Sequence, residues 1–423
     1  MSFIESLLSM LEGMEQKNIS VHEERCVCIR NRNAKCLKCV DVCTTGAIAY
    51  EANDLRVYPE KCIGCGTCAN VCPTSALEVV GLSDDELTRA VKQSIRITKG
   101  HPVITCQTAL DAAKERYENA EPKRRKILGG SKQAQAGFDE NALCVVPCLG
   151  RIDESLLIGL AAYNCFDATL VCSNCETCSH AKGGSFVRKV AEDASRMIGA
   201  FGKDVPIQFT TEYPERVKLS PGQQPSPISK KDMAGMSRRD ALKEVKNAGV
   251  ELAHSGVDDL LGEEKPEPIP IAYRKVNPNT GTLSHFVPTR RTRMYNYLRH
   301  IGQPCAKEVE TRVVGKMHID TEKCTSCRMC AVFCPTGAII KVDEDETFGI
   351  FHRPAACVQC RLCESLCRQQ AITIESLMSI DEFMGKKGVL YAMPRPEWTP
   401  NKPDSLFNKI HHVIGDDIPM HAF

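Results

Sequence analysis

Cys324-Thr-Ser-Cys327-Arg-Met-Cys330-Ala-Val-Phe-Cys334-Pro335 is the stretch that sets the reading of this chain. Its spacing is C-x2-C-x2-C-x3-C-P. The same spacing recurs at Cys62, Cys65, Cys68 and Cys72-Pro73. It recurs without the proline at Cys357, Cys360, Cys363 and Cys367. A looser copy runs Cys28-x7-Cys36-x2-Cys39-x3-Cys43. After the last cysteine of each copy, alanine stands at the fourth position, followed by an aliphatic residue: Ala47-Ile48, Ala76-Leu77, Ala338-Ile339 and Ala371-Ile372. The motif is therefore an internal duplication, made twice.

Such spacing has a physical reason. A cubane [4Fe–4S] cluster needs four thiolates in a rough tetrahedron. The C-x2-C-x2-C loop wraps three corners, and the fourth cysteine ligates the other cluster of a pair. The expected sets are therefore crossed. Cys324, Cys327, Cys330 and Cys367 form one; Cys357, Cys360, Cys363 and Cys334 form its neighbour. In the N-terminal pair, Cys62, Cys65, Cys68 and Cys43 form one; Cys28, Cys36, Cys39 and Cys72 form the other. Zinc prefers paired C-x2-C knuckles separated by a longer loop, which these tight runs lack. Cys26 competes with Cys28 as first ligand of the loose motif, and Cys28 is the reading adopted. Thr44 and Arg368 replace the proline after the fourth cysteine.

Residues 21–82 and 317–378 resemble bacterial two-[4Fe–4S] ferredoxins on these motifs. The resemblance implies two short hairpins and two short helices per pair. Ile48, Val57, Ile63, Leu77 and Val79 are expected to cover one pair, and Ile319, Val332, Ile339, Ile350 and Ile372 the other. Lys61, Arg328, Arg361 and Arg368 lie beside ligands in sequence, where positive charge favours a reduced cluster.

The middle of the chain, residues 83–212, reads differently. His101–Cys106, Leu143–Cys148 and Ala168–Cys172 are short apolar strands, and Val205–Phe209 reads as a fourth. Helical spacing runs over 152–162 and 185–200. Alternating strands and helices predict a small parallel α/β sheet. Three strands end in Cys106, Cys148 and Cys172, so these converge at the carboxyl edge of the sheet, with Cys175 and Cys178 on the next loop. The pieces Cys148-Leu-Gly-Arg151, the helix with Asp153, and Cys172 to Cys178 followed by His180 are similar to the hydrogenase delta-subunit family. That resemblance implies a [2Fe–2S] cluster and electron relay between hydrogenase and heterodisulfide reductase modules. Two departures stand out: Tyr-Asn-Cys-Phe-Asp-Ala before the last strand, and a final loop one residue longer than expected. A further Fe–S centre on Cys106, Cys148, Cys172 and Cys178 is expected. A zinc site, a redox-active thiol pair, or no cofactor are the alternatives left open. Cys144, Cys165 and Cys305 are read as inert.

The remaining segments are connections. Residues 1–20 read as a short helix from Ile4, Leu7, Leu8 and Leu11. Residues 213–316 read as linker, with helical spacing over 233–262. A basic helix is expected over Thr289–Arg299, either solvated or docking an acidic partner. Residues 379–423 have few core patterns and read as a partner-docking tail. Ser237-Arg-Arg-Asp-Ala-Leu-Lys243 matches part of a twin-arginine signal, but it is internal and no apolar run follows.

Composition bounds the function. In 423 residues, 54 Lys+Arg nearly balance 53 Asp+Glu, so a phosphate-tracking nucleic-acid surface is not expected. No apolar run is long enough for a membrane span. The 25 cysteines cluster instead of scattering, which points to metal or redox work in a reducing compartment, and the cytoplasm is expected. No dinucleotide fingerprint, P-loop or Ser/His/Asp grouping is evident. The fold class expected is α+β and α/β multidomain: two dicluster ferredoxin-like domains flank a parallel-sheet domain. The function expected is an electron-transfer subunit carrying four [4Fe–4S] clusters and one further centre. It would join an electron-donor subunit to a catalytic subunit in a hetero-oligomer. The alternatives are thiol–disulfide or sulfur-compound chemistry at the middle centre, and a free-standing polyferredoxin carrier.

Overall fold

The computed structural model describes residues 18–51, 53–120, 137–220, 223–227, 276–277, 280–344 and 346–396. The expected helix before residue 18, the segment 233–262 with its twin-arginine match, and the chain beyond 396 lie outside the described residues. What is described is a mixed α/β multidomain chain, with a parallel sheet between two ferredoxin-like regions.

The middle sheet has four parallel strands in the order Leu143–Val146, Val103–Cys106, Ala168–Val171, Ile207–Thr210. Every residue of Val103–Cys106 and of Ala168–Val171 is buried, as expected for strands covered on both faces. Helices Asp84–Ile97, Gln107–Ala120, Glu154–Ala162 and Ala181–Gly199 flank the strands. The first two of these were not anticipated, although Ser83 and Glu86 form the capping box that starts Asp84–Ile97. The Glu154–Ala162 helix shows leucines at helical spacing and reads as amphipathic. In the structure all nine of its residues are buried. The reason is tertiary: the Thr289–Ile301 helix lies over its outer face, and Gly159 leaves room for the ring of Tyr297.

Both ferredoxin-like regions follow one plan. At the N-terminal end, Ile19–Val21 pairs with Leu77–Val79, and Ile48–Glu51 with Asp54–Val57. Two short helices, Lys38–Val42 and Thr67–Val71, pack between them. At the C-terminal end, Lys316–Ile319 pairs with Ile372–Glu375, and Ile339–Asp343 with Phe348–His352. Helices Met329–Phe333 and Leu362–Leu366 match the N-terminal pair. Ile319, Val332, Ile339, Ile350 and Ile372 are buried, as are Ile48, Leu77 and Val79. Ile63 is exposed, so it does not serve as cover.

Residues just after 378 are part of this body. A capping box of Ser379 and Glu382 starts a turn that buries Phe383 completely, and Val389–Ala392 adds a strand to Phe348–His352.

The basic helix Thr289–Ile301 is neither a solvated face nor a free docking surface. It ties the three regions together. Arg290 donates to the Asn70 and Cys72 carbonyls at 3.0 and 3.1 Å. Arg291 donates to the carbonyls of Val313 and Ala355. Arg293 pairs with Asp84 at 3.4 Å and with buried Asp153 at 3.2 Å. A run of arginines looks solvated in sequence because its partners are carbonyls and carboxylates more than 60 residues away in most cases.

Candidate metal centres

The loop conformation of the motifs is set by the same two positions in three copies. Gly64 and Gly66 take φ +66° and +75°. Their counterparts are Ser326 and Arg328 (+60°, +55°) and Gln359 and Arg361 (+50°, +57°). Left-handed backbone at non-glycine residues costs about 1–3 kcal/mol each and persists where the surroundings over-determine it. Here it turns successive cysteines toward one centre.

A second left-handed position closes every motif. Gly46, Ser75, Gly337 and Gln370 each stand three residues after the fourth cysteine, all at positive φ. The turn aims the next amide back at sulfur. Ala47 donates to Cys43 Sγ at 3.2 Å, Ala76 to Cys72 at 3.2 Å and Ala371 to Cys367 at 3.3 Å. The repeated alanine is thereby explained. It is buried in all four copies, where a larger side chain has no space.

In three motifs the fourth cysteine (Cys72, Cys334 and Cys367) lies near the other motif of its pair. Burial and then the Cys72 thiolate push the Cys39 thiol up to about 12. Burial and then Cys334 push Cys357 up to about 11, and Cys334 acts on Cys360 in the same direction. Cys324 is raised by burial and, less, by Cys327 and Cys367. Buried thiols of this kind give up their protons when a metal takes their place. The donor set, the amide–sulfur bonds and the strained loops fit an iron–sulfur cluster. Among the described residues no three His, Cys, Asp or Glu side chains gather closely enough to hold one ion. A cluster instead spreads its thiolates over separate corners.

The loose motif differs. The helix Val27–Arg30 fills the insertion, and both Cys26 and Cys28 line a cavity with Cys36, Cys39 and Cys72. The Cys28 thiol donates to the Cys36 carbonyl at 2.8 Å. Its hydrogen bond to Cys26 holds Cys26 down at about 7 against burial. Cys26, in turn, acts on both Cys36 and Cys39.

In the middle region the carboxyl edge of the sheet gathers Cys106, Cys148, Cys172 and Cys175. Burial pushes Cys148 up to about 12, opposed by the Gly150 amide, with Cys65, Cys106 and Cys175 acting in the same direction as burial. A hydrogen bond from Cys175 holds Cys172 down at about 7. Gly183 and Gly184, at the start of the Ala181–Gly199 helix, form a cradle. A Cβ at Gly183 would lie 2.6 Å from Cys148 Sγ, and one at Gly184 would lie 2.5 Å from Cys175 Sγ. The helix N-terminus thus points at sulfur, where its dipole favours thiolate. Cys178 Sγ accepts from the His180 amide at 3.4 Å and lies 3.6 Å from the ring. Cys144 is buried within its strand.

Several residues near sulfur gave no sequence signal. Arg30 is buried between the two ferredoxin-like regions, lowered by burial and pulled up by Cys334 and Cys360. Lys182 donates to the Asp41 and Cys43 carbonyls at 2.8 and 3.0 Å. The arginines that sequence proximity suggested are already paired: Arg328 with Asp343 at 2.9 Å and Arg361 with Glu364 at 3.1 Å. Lys61 lies over the Tyr58 ring, and Arg368 is exposed.

Comparison with known proteins agrees with this geometry. The 4Fe-4S binding domain family matches residues 55–78 and 317–340. The chain is 51% identical over 47 residues to the archaeal-type glutamate synthase [NADPH] of Thermotoga maritima, covering 11% of this chain and 9% of that one. It is 48% identical over 42 residues to the electron transport protein HydN of Escherichia coli, covering 10% and 24%. It is 42% identical over 55 residues to pyruvate synthase subunit PorD of Methanocaldococcus jannaschii, covering 13% and 60%. The chain thus spans less than two thirds of each. The shared parts define 4Fe–4S ferredoxin-type domains and a general role in electron transfer. No helix among the described residues is long and apolar enough to cross a membrane.

Proposed function

We propose that this chain is the iron–sulfur electron-transfer subunit of an anaerobic oxidoreductase complex. It relays electrons between a donor module (hydrogenase, flavoprotein or ferredoxin) and a catalytic subunit. Four [4Fe–4S] clusters occupy the crossed sets. Cys26 takes the place of Cys28 in the first of them, because Cys26 is the thiol held down at about 7 and Cys28 is the hydrogen-bond partner that holds it there. A fifth centre, [2Fe–2S] as the resemblance to the hydrogenase delta-subunit family implies, sits on Cys106, Cys148, Cys172 and Cys175; Cys175 replaces the expected Cys178 because Gly184 packs against its sulfur and it hydrogen-bonds Cys172. The clusters would supply one-electron chemistry. The residues of this chain hold them, exclude water and donate amides to sulfur.

The observation that carries this reading is contact between cysteine-bearing loops across region boundaries. Gly183 is flanked by both Cys148 Sγ and Thr67, next to Cys68, and Lys38, next to Cys39, donates to the carbonyl of Gln359, next to Cys360, at 3.4 Å. A carrier with independent domains has no need of such contacts.

Iron and acid-labile sulfide per chain, measured on anaerobically purified protein, test the reading. Four cubanes and a two-iron centre give about 18 irons. About 16 irons would leave the middle thiols free. The hydrogen-bonded pair Cys172 and Cys175 would then be the place for thiol–disulfide chemistry, and the relay reading would lose its fifth station. About 14 irons would mean that the loose motif holds no cluster.

A further inference from the structure

Numbering the four motifs in chain order (the loose motif first, then those opening at Cys62, Cys324 and Cys357), we propose that the five cysteine sets stand in one unbranched line: middle set, second motif, first motif, fourth motif, third motif. The middle set and the third motif are its two ends. This rests on the relay reading and gives it an order that the chain sequence does not follow.

Two junctions carry the argument. The first joins the middle region to the second motif. Thr67, one residue before Cys68, packs against the glycine cradle: a Cβ at Gly183 would lie 3.0 Å from Thr67 Oγ1 and 2.6 Å from Cys148 Sγ. Asn70, on the same short helix, donates to the carbonyls of Gly150 and Ile152. Lys182 reaches the carbonyl of Cys43, which closes the second-motif set. Every one of these contacts touches the Cys62/Cys65/Cys68/Cys43 set or its helix.

The second junction joins the two ferredoxin-like regions. Lys38, between Cys36 and Cys39, donates to the Gln359 carbonyl at 3.4 Å, between Cys357 and Cys360. Cys36, Cys39, Cys327 and Cys360 pack against one continuous apolar core with Met329, Val332 and Leu362. Buried Arg30 faces Cys334 and Cys360, both of the fourth-motif set. The first and fourth motifs are therefore the facing pair.

A shortcut from the middle region to the C-terminal region is the alternative to exclude. Those two regions do touch, where Asp193 accepts from Thr311 at 2.9 Å and from the Arg312 amide. Asp193 lies ten residues along its helix from Gly183, about 15 Å at 1.5 Å per residue. That contact is remote from the middle cysteines, and the nearer one, Arg312 over the Phe186 ring at 4.8 Å, involves no cysteine of either region. The ends of the line are open: Asn174, Glu176 and Thr177 of the middle loop and Thr321, Glu322 and Thr325 before and within the third motif are exposed. The second, first and fourth motifs are the inner stations of this order.

The order is tested by EPR on the reduced full chain, reading spin relaxation of the middle centre. Three variants each remove one station: Cys65→Ser, Cys360→Ser and Cys327→Ser. An iron count lower by about four in each confirms that the rest of the chain is loaded. The line predicts loss of the fast relaxation of the middle signal in Cys65→Ser, and no change in the other two. If Cys65→Ser loses more iron than one cluster, Cys62→Ser removes the same station. Relaxation of the third-motif signal is predicted to change in Cys360→Ser and not in Cys65→Ser. A middle signal that responds to Cys360→Ser and ignores Cys65→Ser overturns the order while leaving the relay reading standing. A chain with about 16 irons and no middle signal overturns the relay reading's fifth station, and the five-set line with it.

Discussion

Gly183 stands where any side chain would strike the sulfur of Cys148, since a Cβ there would lie 2.6 Å from Sγ. Neighbouring Gly184 holds the same relation to Cys175 at 2.5 Å. Neither glycine takes a positive φ, so their smallness and not their backbone freedom is what the fold uses. The helix they begin can then approach both sulfurs end-on.

Gly183→Ala is therefore expected to expel the middle centre and leave the ferredoxin-type clusters. Iron should fall by about two per chain. The overpacking cost, about 1–3 kcal/mol, is small enough for the sheet to survive. Iron analysis with visible absorption checks this. Unchanged iron would mean that Cys148 is not a ligand.

Cys26 and Cys28 make opposite predictions. Cys26 is the thiol of the pair held down at about 7, by its hydrogen bond with Cys28, and so the one that gives up its proton more readily to a metal. Cys28→Ala should keep all iron and cost about 1 kcal/mol for the lost hydrogen bond. Cys26→Ala should lose about four irons. The reverse pattern would restore Cys28 as the ligand.

How much of this was legible in sequence depends on where the signal lies. The three regular motifs carry their own geometry in their spacing, so loops, short helices and hairpins follow locally. The alanine four residues after each last cysteine was visible as a repeat, but its role became clear only through the left-handed turn at Gly46, Ser75, Gly337 and Gln370. In the middle region, strand ends correctly placed Cys106, Cys148 and Cys172. The packing of Gly184 against Cys175 was not legible, because it depends on how the Ala181–Gly199 helix seats its glycines. Gly183-Gly184 was the available signal. Arg290, Arg291 and Arg293 misled for a different reason. Their partners are backbone carbonyls and acids brought near by the tertiary fold, which no periodicity encodes.

Arg293 offers a direct test of that tertiary role. Its guanidinium pairs with Asp84 at 3.4 Å and Asp153 at 3.2 Å, and donates to Ser155 at 2.9 Å. Asp153 is buried, so losing Arg293 leaves a carboxylate short of its partner. Arg293→Met should cost about 3–5 kcal/mol, the range for breaking one side of a buried pair. Denaturant unfolding should show a lower midpoint. The Glu154–Ala162 helix beneath should gain amide exchange, while iron content at rest stays unchanged. An unaltered midpoint would show that the helix is not the clamp.

His352 gives the C-terminal region a pH dependence. Its ring is fully buried, and Nδ1 accepts from the Met317 amide at 3.4 Å. Burial lowers its pKa from 6.5 to about 4, opposed by Glu382 and reinforced by Lys316. The sign follows from proton binding. Below 6.5 the unfolded chain takes up a proton that the fold refuses, so the contribution is complete above 6.5 and is lost as pH falls toward 4. The span corresponds to about 3 kcal/mol at about 1.4 kcal/mol per unit. Protonation of ligand thiolates also loosens clusters in acid, so the comparison must be between chains at matched pH. His352→Gln cannot titrate. It should be less stable than the parent at pH 7, and the gap between their denaturant midpoints should close as pH is lowered to 4. Curves that stay parallel between pH 6.5 and 4 would show that the acid sensitivity of this region comes from groups other than His352.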